Sequence, residues 1–260
     1  MSTILLTGGT GGLGRHVAAS LRERGDEVRV LSRRPGAGTH VGDLSTGAGV
    51  ANAARGADLV VHAASDTRRL GRADLAQTEN LLQAAGDASH LLYVSIVGID
   101  AIPYVYYRRK LACEHMIASS RTPYTILRAT QFHEFIAFLL RAAERLPLAP
   151  LPLDFRFQSV AAAEVATRIA ELIHADPRHE TIDLGGPEVL TLGQMAELWR
   201  TERGRPRRLA TLPVPGKMGR AFREGRNTCP EHAEGIQTWA QFVASDPENP
   251  YRLRQPGATS

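Results

Sequence analysis

A glycine-rich turn stands between an apolar run and a helix-patterned segment near the start of the chain. The apolar run covers 2–6, and the helix-patterned segment covers 15–24. The turn consists of Thr7, Gly8, Gly9, Thr10, Gly11, Gly12, Leu13 and Gly14. Its glycines fit a GxGxxG spacing from Gly9 or a GxxGxxG spacing from Gly8, and either lets the backbone approach a pyrophosphate at a helix N-terminus. Because a strand precedes the turn and a helix follows it, the motif predicts a dinucleotide site rather than a glycine turn without a ligand.

Strands and helices are predicted to alternate along most of the chain. Strands are expected at 2–6, 27–31, 39–44, 58–64, 91–95, 124–127 and 181–184, and helices at 15–24, 72–85, 104–119 and 161–173. This alternation predicts an α/β fold, a Rossmann-type doubly wound parallel sheet with right-handed crossovers. A proline-broken stretch at 147–152 interrupts the pattern. We expect a single NAD(P)-binding Rossmann domain over 1–260, with 131–158 and 186–260 contributing a small C-terminal substrate lobe.

The residues after the second strand bear on which dinucleotide the chain binds. Ser32, Arg33 and Arg34 stand where an NAD site usually places an acid for the ribose hydroxyls. Arginine at this place suits the 2′-phosphate, so the sequence favours NADP(H) over NAD(H); the alternative is that these are solvated loop arginines. Asp43, where the short third strand runs into a turn, is expected either to reach the adenine or to cap the following helix.

The run at 58–64 is apolar in the manner of a parallel strand buried on both faces. Ligands bind outside the carboxyl ends of such strands, so Ala63, Ala64 and Ser65 are expected to line the cofactor crevice. His62, inside the run, is expected to be packed rather than catalytic.

Tyr106 and Lys110 form a YxxxK pair on the helix that follows the strand ending at Ser95. Residues four apart share a helix face. Only Lys110 and Lys217 are lysines and the chain has six tyrosines, so roughly 0.05 chance matches are expected. A lysine can lower the tyrosine pKa and bond a cofactor ribose, which makes the pair a candidate for proton transfer beside the nicotinamide. The alternative is an aromatic anchor and a surface lysine.

Aromatic and polar residues follow the sixth strand and are candidates for a substrate pocket. We assign Gln131, Phe132 and His133 to the pocket wall, although aromatic residues on a helix more often pack in a core. His133 is the best alternative acid or base, weighed against a packed histidine. The nine histidines and two cysteines lack ligand spacing, so no metal site is expected.

Composition argues against several classes of partner. The net charge is +4, but the basic residues are scattered among 27 acidic ones, which indicates solvated surface rather than a nucleic-acid site. No apolar run reaches the length that crosses a bilayer, and the N-terminus lacks a basic targeting segment. We therefore expect a cytoplasmic protein with a small-molecule substrate and no nucleic-acid or membrane partner. The substrate's identity and the oligomeric state stay open.

Several of these segments resemble the short-chain dehydrogenase/reductase superfamily, specifically its atypical NmrA-like branch of NAD(P)-binding proteins. The segments that carry the resemblance are TGGTGGLG at 7–14, Ser32-Arg33-Arg34, Gly42-Asp43-Leu44, YVSIVG at 93–98, YYRRKLACE at 106–114 and LRATQFHEF at 127–135. The resemblance implies a Rossmann fold with a small C-terminal substrate lobe, and NADP(H) more often than NAD(H). Active members usually carry Ser or Thr a residue or two beyond the fifth strand, where this chain has Ile96 and Val97.

Three functions are compatible with these features. The first is an NADP(H)-dependent oxidoreductase moving hydride to or from a small carbonyl, quinone or enone, with Tyr106 exchanging the proton, Lys110 on the ribose and Ser95 positioning the substrate oxygen. The second is a non-catalytic NADP(H)-sensing regulatory protein, because the branch includes members that resemble cofactor sensors. The third is an isomerase or dehydratase with retained cofactor.

Overall fold

Strands and helices alternate in the computed structural model, which describes residues 1–145, 148–203 and 208–245. The strands are β1 (Thr3–Thr7), β2 (Glu27–Ser32), β3 (Thr39–Val41), β4 (Leu59–His62), β5 (His90–Ile96), β6 (Tyr124–Ala129), β7 (Leu148–Leu151), β8 (Arg156–Phe157), β9 (Thr181–Leu184), β10 (Leu190–Thr191) and β11 (Arg208–Thr211). The helices are α1 (Gly12–Glu23), α2 (Val50–Ala54), α3 (Asp74–Ala84), α4 (Val105–Ala118), α5 (His133–Ala143), α6 (Ala162–Leu172), α7 (Leu192–Arg203), α8 (Gly216–Arg223) and α9 (Trp239–Ala244). Two short 3₁₀ turns lie at Thr67–Arg69 and Pro230–His232.

A seven-stranded parallel sheet forms the centre of the fold, with the strand order β3-β2-β1-β4-β5-β6-β9. The chain runs outward from β1 to β3 and then returns to place β4 on the other side of β1. This reversal opens a crevice at the carboxyl ends of β1 and β4, where ligands of doubly wound sheets bind. The predicted Rossmann-type α/β fold is confirmed.

Helices cover both faces of the sheet, as the continuous apolar strands require. On one face, Val17 of α1 and Ile169 of α6 belong to the apolar cluster beneath β1, β4 and β6. On the other face, Leu81 of α3 and Cys113 of α4 pack against the opposite sides of the same strands. Cys113 is fully buried, so it is a small core residue.

A third apolar cluster joins α5, α7 and α9 beyond the sheet. At its centre lies Trp239, which is fully buried and donates its indole N–H to the Met195 carbonyl at 2.9 Å. Much of this cluster comes from the segments assigned to the substrate lobe, while residues 146–147, 204–207 and 246–260 of that assignment lie outside the described residues. A role of this region in holding substrate stays a prediction.

Candidate functional site

Three glycines of the turn are packed so closely that a side chain would not fit at their positions. Gly8 has a left-handed backbone with φ of +72°, and a Cβ there would stand 2.6 Å from the Ala63 carbonyl. A Cβ on Gly14 would overlap the Gly8 carbonyl oxygen, because α1 begins directly against the loop. The Gly11 N–H donates to the Gly8 carbonyl at 2.9 Å and closes the turn. Gly9 packs on the Val30 side chain, so the glycines of both candidate spacings have structural roles.

The first turn of α1 leaves its backbone amides available to an anion. Gly11 occupies the N-cap, no side chain caps the helix, and the first turn holds no acidic residue. Amides at a helix start and the positive end of its dipole favour a phosphate group. The cradle that a Cβ would fill, together with these amides, fits the pyrophosphate of a dinucleotide.

The candidate adenosine residues lie at the end of β2 and after β3. Arg33 and Arg34 are exposed, and the Arg34 N–H donates to the Ser32 hydroxyl at 3.1 Å. The Asp43 carboxylate accepts from the Ser45 N–H at 2.8 Å. Gly49, not Asp43, caps the start of α2, so the helix-capping alternative for Asp43 is wrong.

A hydrogen-bonded chain joins β1, β4 and α3 beneath the crevice. The Thr7 hydroxyl lies 2.8 Å from His62 Nδ1, and His62 Nε2 lies 3.1 Å from the Thr78 hydroxyl. The Ala64 N–H donates to the Thr7 oxygen at 3.3 Å. Burial lowers the pKa of His62 to about 3, with a further lowering by the charge of Lys110. His62 is therefore a neutral packed histidine, as predicted.

Ser65, which follows β4, connects Tyr106 to a carboxylate that the sequence analysis missed. Its hydroxyl donates to Asp74 Oδ2 at 2.6 Å and lies 3.0 Å from the Tyr106 hydroxyl. Asp74 is only 3% exposed, and its Oδ1 accepts from the Asp66 N–H at 2.7 Å. The one sequence signal for Asp74 was its place in the first turn of a helix, which usually indicates an electrostatic contribution to helix stability.

Lys110 lies inside the protein rather than on its surface. The residue is 3% exposed, and its ammonium donates to the Val94 carbonyl at 2.7 Å and stands 4.2 Å from the centre of the Tyr93 ring. Burial lowers its pKa to about 8. Burial also raises the pKa of Tyr106 to about 12, so the expected lowering of the tyrosine pKa is not found.

Ser95 lies near the carboxyl end of β5 and carries an unsatisfied hydroxyl. The residue is 3% exposed, and its oxygen has no hydrogen-bond partner among the described residues. A buried hydroxyl without a partner costs free energy, which a ligand atom at this place would recover. Val97, two residues on, is buried and presents no hydroxyl.

The candidate pocket residues after β6 are largely occupied by protein contacts. His133 is fully buried; its Nδ1 lies 2.8 Å from the Ser159 hydroxyl and its Nε2 lies 2.9 Å from the Gln237 carbonyl. Burial lowers its pKa to about 4. With both nitrogens bonded, His133 has none free for a substrate. Gln131 and Phe132 are half-buried, and their assignment to a pocket stays a prediction.

The described ranges hold neither a metal-binding cluster nor a membrane-spanning helix. Across 1–145, 148–203 and 208–245, His, Cys, Asp and Glu nowhere group in a way that could hold a metal ion. Within those same ranges, each helix is too short or too polar to span a bilayer.

Among curated proteins, two relatives match parts of the chain. A (4-alkanoyl-5-oxo-2,5-dihydrofuran-3-yl)methyl phosphate reductase from Streptomyces griseus is 32% identical over 140 residues, 50% of this chain and 48% of the reductase. A 3-beta-hydroxysteroid dehydrogenase from Mycolicibacterium neoaurum is 34% identical over 84 residues, 30% of this chain and 23% of that enzyme. The matches thus span less than half the length of either relative.

Solved structures with the same fold cover nearly the whole chain. An NADPH-dependent quinone oxidoreductase from Escherichia coli, complexed with NADPH, superposes with a TM-score of 0.75 at 20% identity, covering 93% of this chain and 99% of that one. A short-chain dehydrogenase/reductase superfamily protein from Agrobacterium tumefaciens with bound NAD has a TM-score of 0.73 at 19% identity, with 94% and 95% covered. At these identities the likeness shows the fold.

The family comparison covers the glycine turn and most of the sheet. A family model described as NAD(P)H-binding matches residues 8–176, from Gly8 through α6. This range is well over half of the chain and contains β4 and the glycines that follow β1. The chain therefore belongs to the NAD(P)H-binding family, with the Rossmann-type α/β fold that its sequence predicts.

Proposed function

We propose that this chain is an NADP(H)-dependent oxidoreductase that moves hydride to or from a small carbonyl, quinone or enone. The observation that carries the proposal is the placement of two hydroxyls at one edge of the sheet. Tyr106 meets Ser65 just beyond β4, and the unpartnered Ser95 hydroxyl lies near the end of β5, which pairs with β4. A substrate oxygen bound at this edge would have two hydroxyls beside it: that of Tyr106 to exchange the proton and that of Ser95 to hold the oxygen in position.

The nicotinamide, when bound, supplies the hydride chemistry, and the chain supplies binding and proton handling. The glycine turn and the first amides of α1 would hold the pyrophosphate. Lys110 has three N–H donors, and one of them bonds the Val94 carbonyl. We assign a remaining donor to the ribose. Tyr106 stays protonated at neutral pH because burial raises its pKa to about 12.

The proton-exchange role of Tyr106 can be tested by removing one oxygen. For Tyr106→Phe we expect turnover to fall by about a hundredfold or more, because a positioned acid or base contributes that much. The affinity of the variant for the nucleotide should equal that of the unmodified chain. The measurement is steady-state NADPH oxidation with a panel of carbonyls, quinones and enones, beside nucleotide binding by calorimetry. Tyr124→Phe is the matched control, since the Tyr124 hydroxyl donates to the His179 carbonyl at 3.0 Å, away from the crevice. Unchanged turnover in Tyr106→Phe would remove Tyr106 from the mechanism.

The preference for NADP(H) rests on Arg33 and Arg34, which are exposed at the end of β2 and have no acidic residue next to them in the sequence. In the double variant Arg33→Ala with Arg34→Ala we expect NADPH affinity to fall about tenfold to a hundredfold, as a lost charged hydrogen bond implies. NADH affinity should change little. Calorimetry with both nucleotides measures this, and Arg121→Ala, an exposed arginine just before β6, is the control. Equal losses for both nucleotides would reject the 2′-phosphate assignment.

A second candidate function, an NADP(H)-sensing regulatory protein without turnover, is favoured by Val97. This buried, apolar residue stands where active relatives are expected to carry a hydroxyl. A sensor would bind NADPH and consume none with any member of the panel. An isomerase or dehydratase would transform its substrate while its nucleotide stays bound without net consumption. The same assays separate these outcomes.

A further inference from the structure

Three side chains from different elements form a continuous hydrogen-bonded line at the crevice. Tyr106 lies on α4, Ser65 follows β4, and Asp74 starts α3. The Tyr106 and Ser65 oxygens are 3.0 Å apart, and the Ser65 oxygen is 2.6 Å from Asp74 Oδ2. The short second distance is that of a hydrogen bond to an ionised carboxylate.

The chemistry of the carboxylate fixes the direction of the protons along the line. An ionised carboxylate can only accept, so Ser65 must donate its proton to Asp74. The Ser65 oxygen is then left only as an acceptor toward Tyr106, and the phenol donates to it. The remaining lone pairs of the Tyr106 oxygen are left to accept a proton from another group.

Backbone and side-chain bonds hold this line in place. Asp74 Oδ1 is bonded by the Asp66 N–H, and the Asp74 carbonyl accepts from the Thr78 hydroxyl at 2.9 Å. Thr78 in turn meets buried His62. Gly71 has a left-handed backbone with φ of +73°, and a Cβ added to it would lie 3.0 Å from the Tyr106 ring, so the loop packs closely against the tyrosine. The carboxylate therefore has a fixed position behind the tyrosine.

We propose that Ser65 and Asp74 form a proton relay behind Tyr106, which rests on the oxidoreductase function proposed above. In the oxidising direction, the substrate hydroxyl proton passes to the Tyr106 oxygen while the phenol proton passes to Ser65. The Ser65 proton passes to Asp74. A bound oxidised nicotinamide would supply the acceptor for the hydride that leaves the substrate carbon as the carbonyl product forms. Three O–H bonds break and three form, and the reverse shift serves reduction. Tyr106 contacts the substrate, whereas Ser65 and Asp74 are positioning residues.

The groups that affect the ionisation of Tyr106 are few. Burial is the largest influence and raises its pKa. Ser65 opposes this, because once the phenol has lost its proton the Ser65 hydroxyl can rotate and donate to the phenolate oxygen. The negative charge of Asp74 on α3 raises it further, as do Tyr104, just before α4, and Cys113 on α4. Ser65 and Asp74 therefore act on the phenol in opposite directions, which gives a readout that a merely structural role would not produce.

The first test needs no substrate. Fluorotyrosine at position 106 of the full chain lowers the ionisation range of the phenol, and ¹⁹F NMR follows its titration with and without NADP⁺. We expect Ser65→Ala to move the ionisation to higher pH, Ser65→Thr to restore it, and Asp74→Asn to move it to lower pH. The control is Glu79→Gln, the same carboxylate-to-amide change at an exposed position of α3. An identical titration in all variants would overturn the relay.

The second test is turnover in the oxidising direction. For Asp74→Asn and Ser65→Ala we expect kcat to fall about a hundredfold, the range of a lost proton-transfer partner, with KM little changed. Ser65→Thr should recover most of it. Full kcat in both variants, with the titration shifts present, would reduce Ser65 and Asp74 to electrostatic neighbours of Tyr106. Absent turnover in the unmodified chain, with the shifts present, would instead reject the proposed function and leave the hydrogen-bonded line standing.

Discussion

Replacing Gly14 by alanine is expected to weaken nucleotide binding about tenfold to a hundredfold. The added methyl group would overlap the Gly8 carbonyl oxygen and press on the Gly8 and Gly9 backbone. None of these atoms can rotate away as a side chain could, so α1 and the loop must separate. Overpacking of this kind costs about 1–3 kcal/mol, and each 1.4 kcal/mol is about tenfold in affinity. The separation would also move the first amides of α1 away from the pyrophosphate.

The measurement is NADPH affinity by calorimetry, with the midpoint of thermal unfolding recorded for each variant. Gly36→Ala is the matched control, because a Cβ there would lie 3.6 Å from the Thr39 hydroxyl, an ordinary contact. If Gly14→Ala binds NADPH as tightly as the unmodified chain while remaining folded, the loop does not hold the pyrophosphate and the cofactor must bind elsewhere.

The fold was predictable because its signals are local. The glycine turn needs a strand before it and a helix after it, and the apolar strands need helices on both faces. The predicted strand at 181–184 matches β9, while β6 continues beyond its predicted end at 127 to Ala129. The ends of strands are harder to predict from sequence, because the last residues of a strand pair through backbone atoms and this pairing does not depend on their side chains.

The proline-broken stretch at 147–152 shows where local signals fail. It contains β7, which pairs in parallel with β11, with Pro150 opposite Ala210. Proline lacks an N–H, but a two-stranded pair leaves one side of each strand without a partner, where a missing donor costs little. The pairing joins residues about sixty apart in sequence, and the local composition of either segment cannot predict such a contact.

The candidate site was predictable only for residues that belong to a motif. The spacing of Tyr106 and Lys110 could be read from the chain, but their partners could not. Lys110 bonds the Val94 carbonyl on a neighbouring strand, and Tyr106 reaches Ser65 across the crevice. Asp74 is nine residues from Ser65, beyond a 3₁₀ turn and the left-handed residue Leu70. Only the path of that loop brings the carboxylate back to the hydroxyl.

Acidification is expected to destabilise this protein strongly because two histidines are buried in the neutral form. Burial lowers the pKa of His62 to about 3 and that of His133 to about 4. In the unfolded chain both have an ordinary pKa of about 6.5. Below that pH the unfolded state binds protons that the folded state does not, so the free energy of unfolding falls as pH falls. Each histidine contributes about 1.4 kcal/mol per pH unit until its folded pKa is reached.

The difference between variants isolates these two groups from the other titrating residues. Chemical unfolding between pH 7 and pH 4 should show a slope about 1.4 kcal/mol per pH unit smaller in His62→Gln than in the unmodified chain. His133→Gln should behave alike, and the exposed His115→Gln serves as the control. Glutamine keeps one donor and one acceptor, so Thr7 and Thr78 can retain partners. An unchanged slope in His62→Gln would mean that His62 is charged in the folded protein. The hydrogen-bonded chain from β1 to α3, which anchors Asp74, would then not contain a neutral histidine.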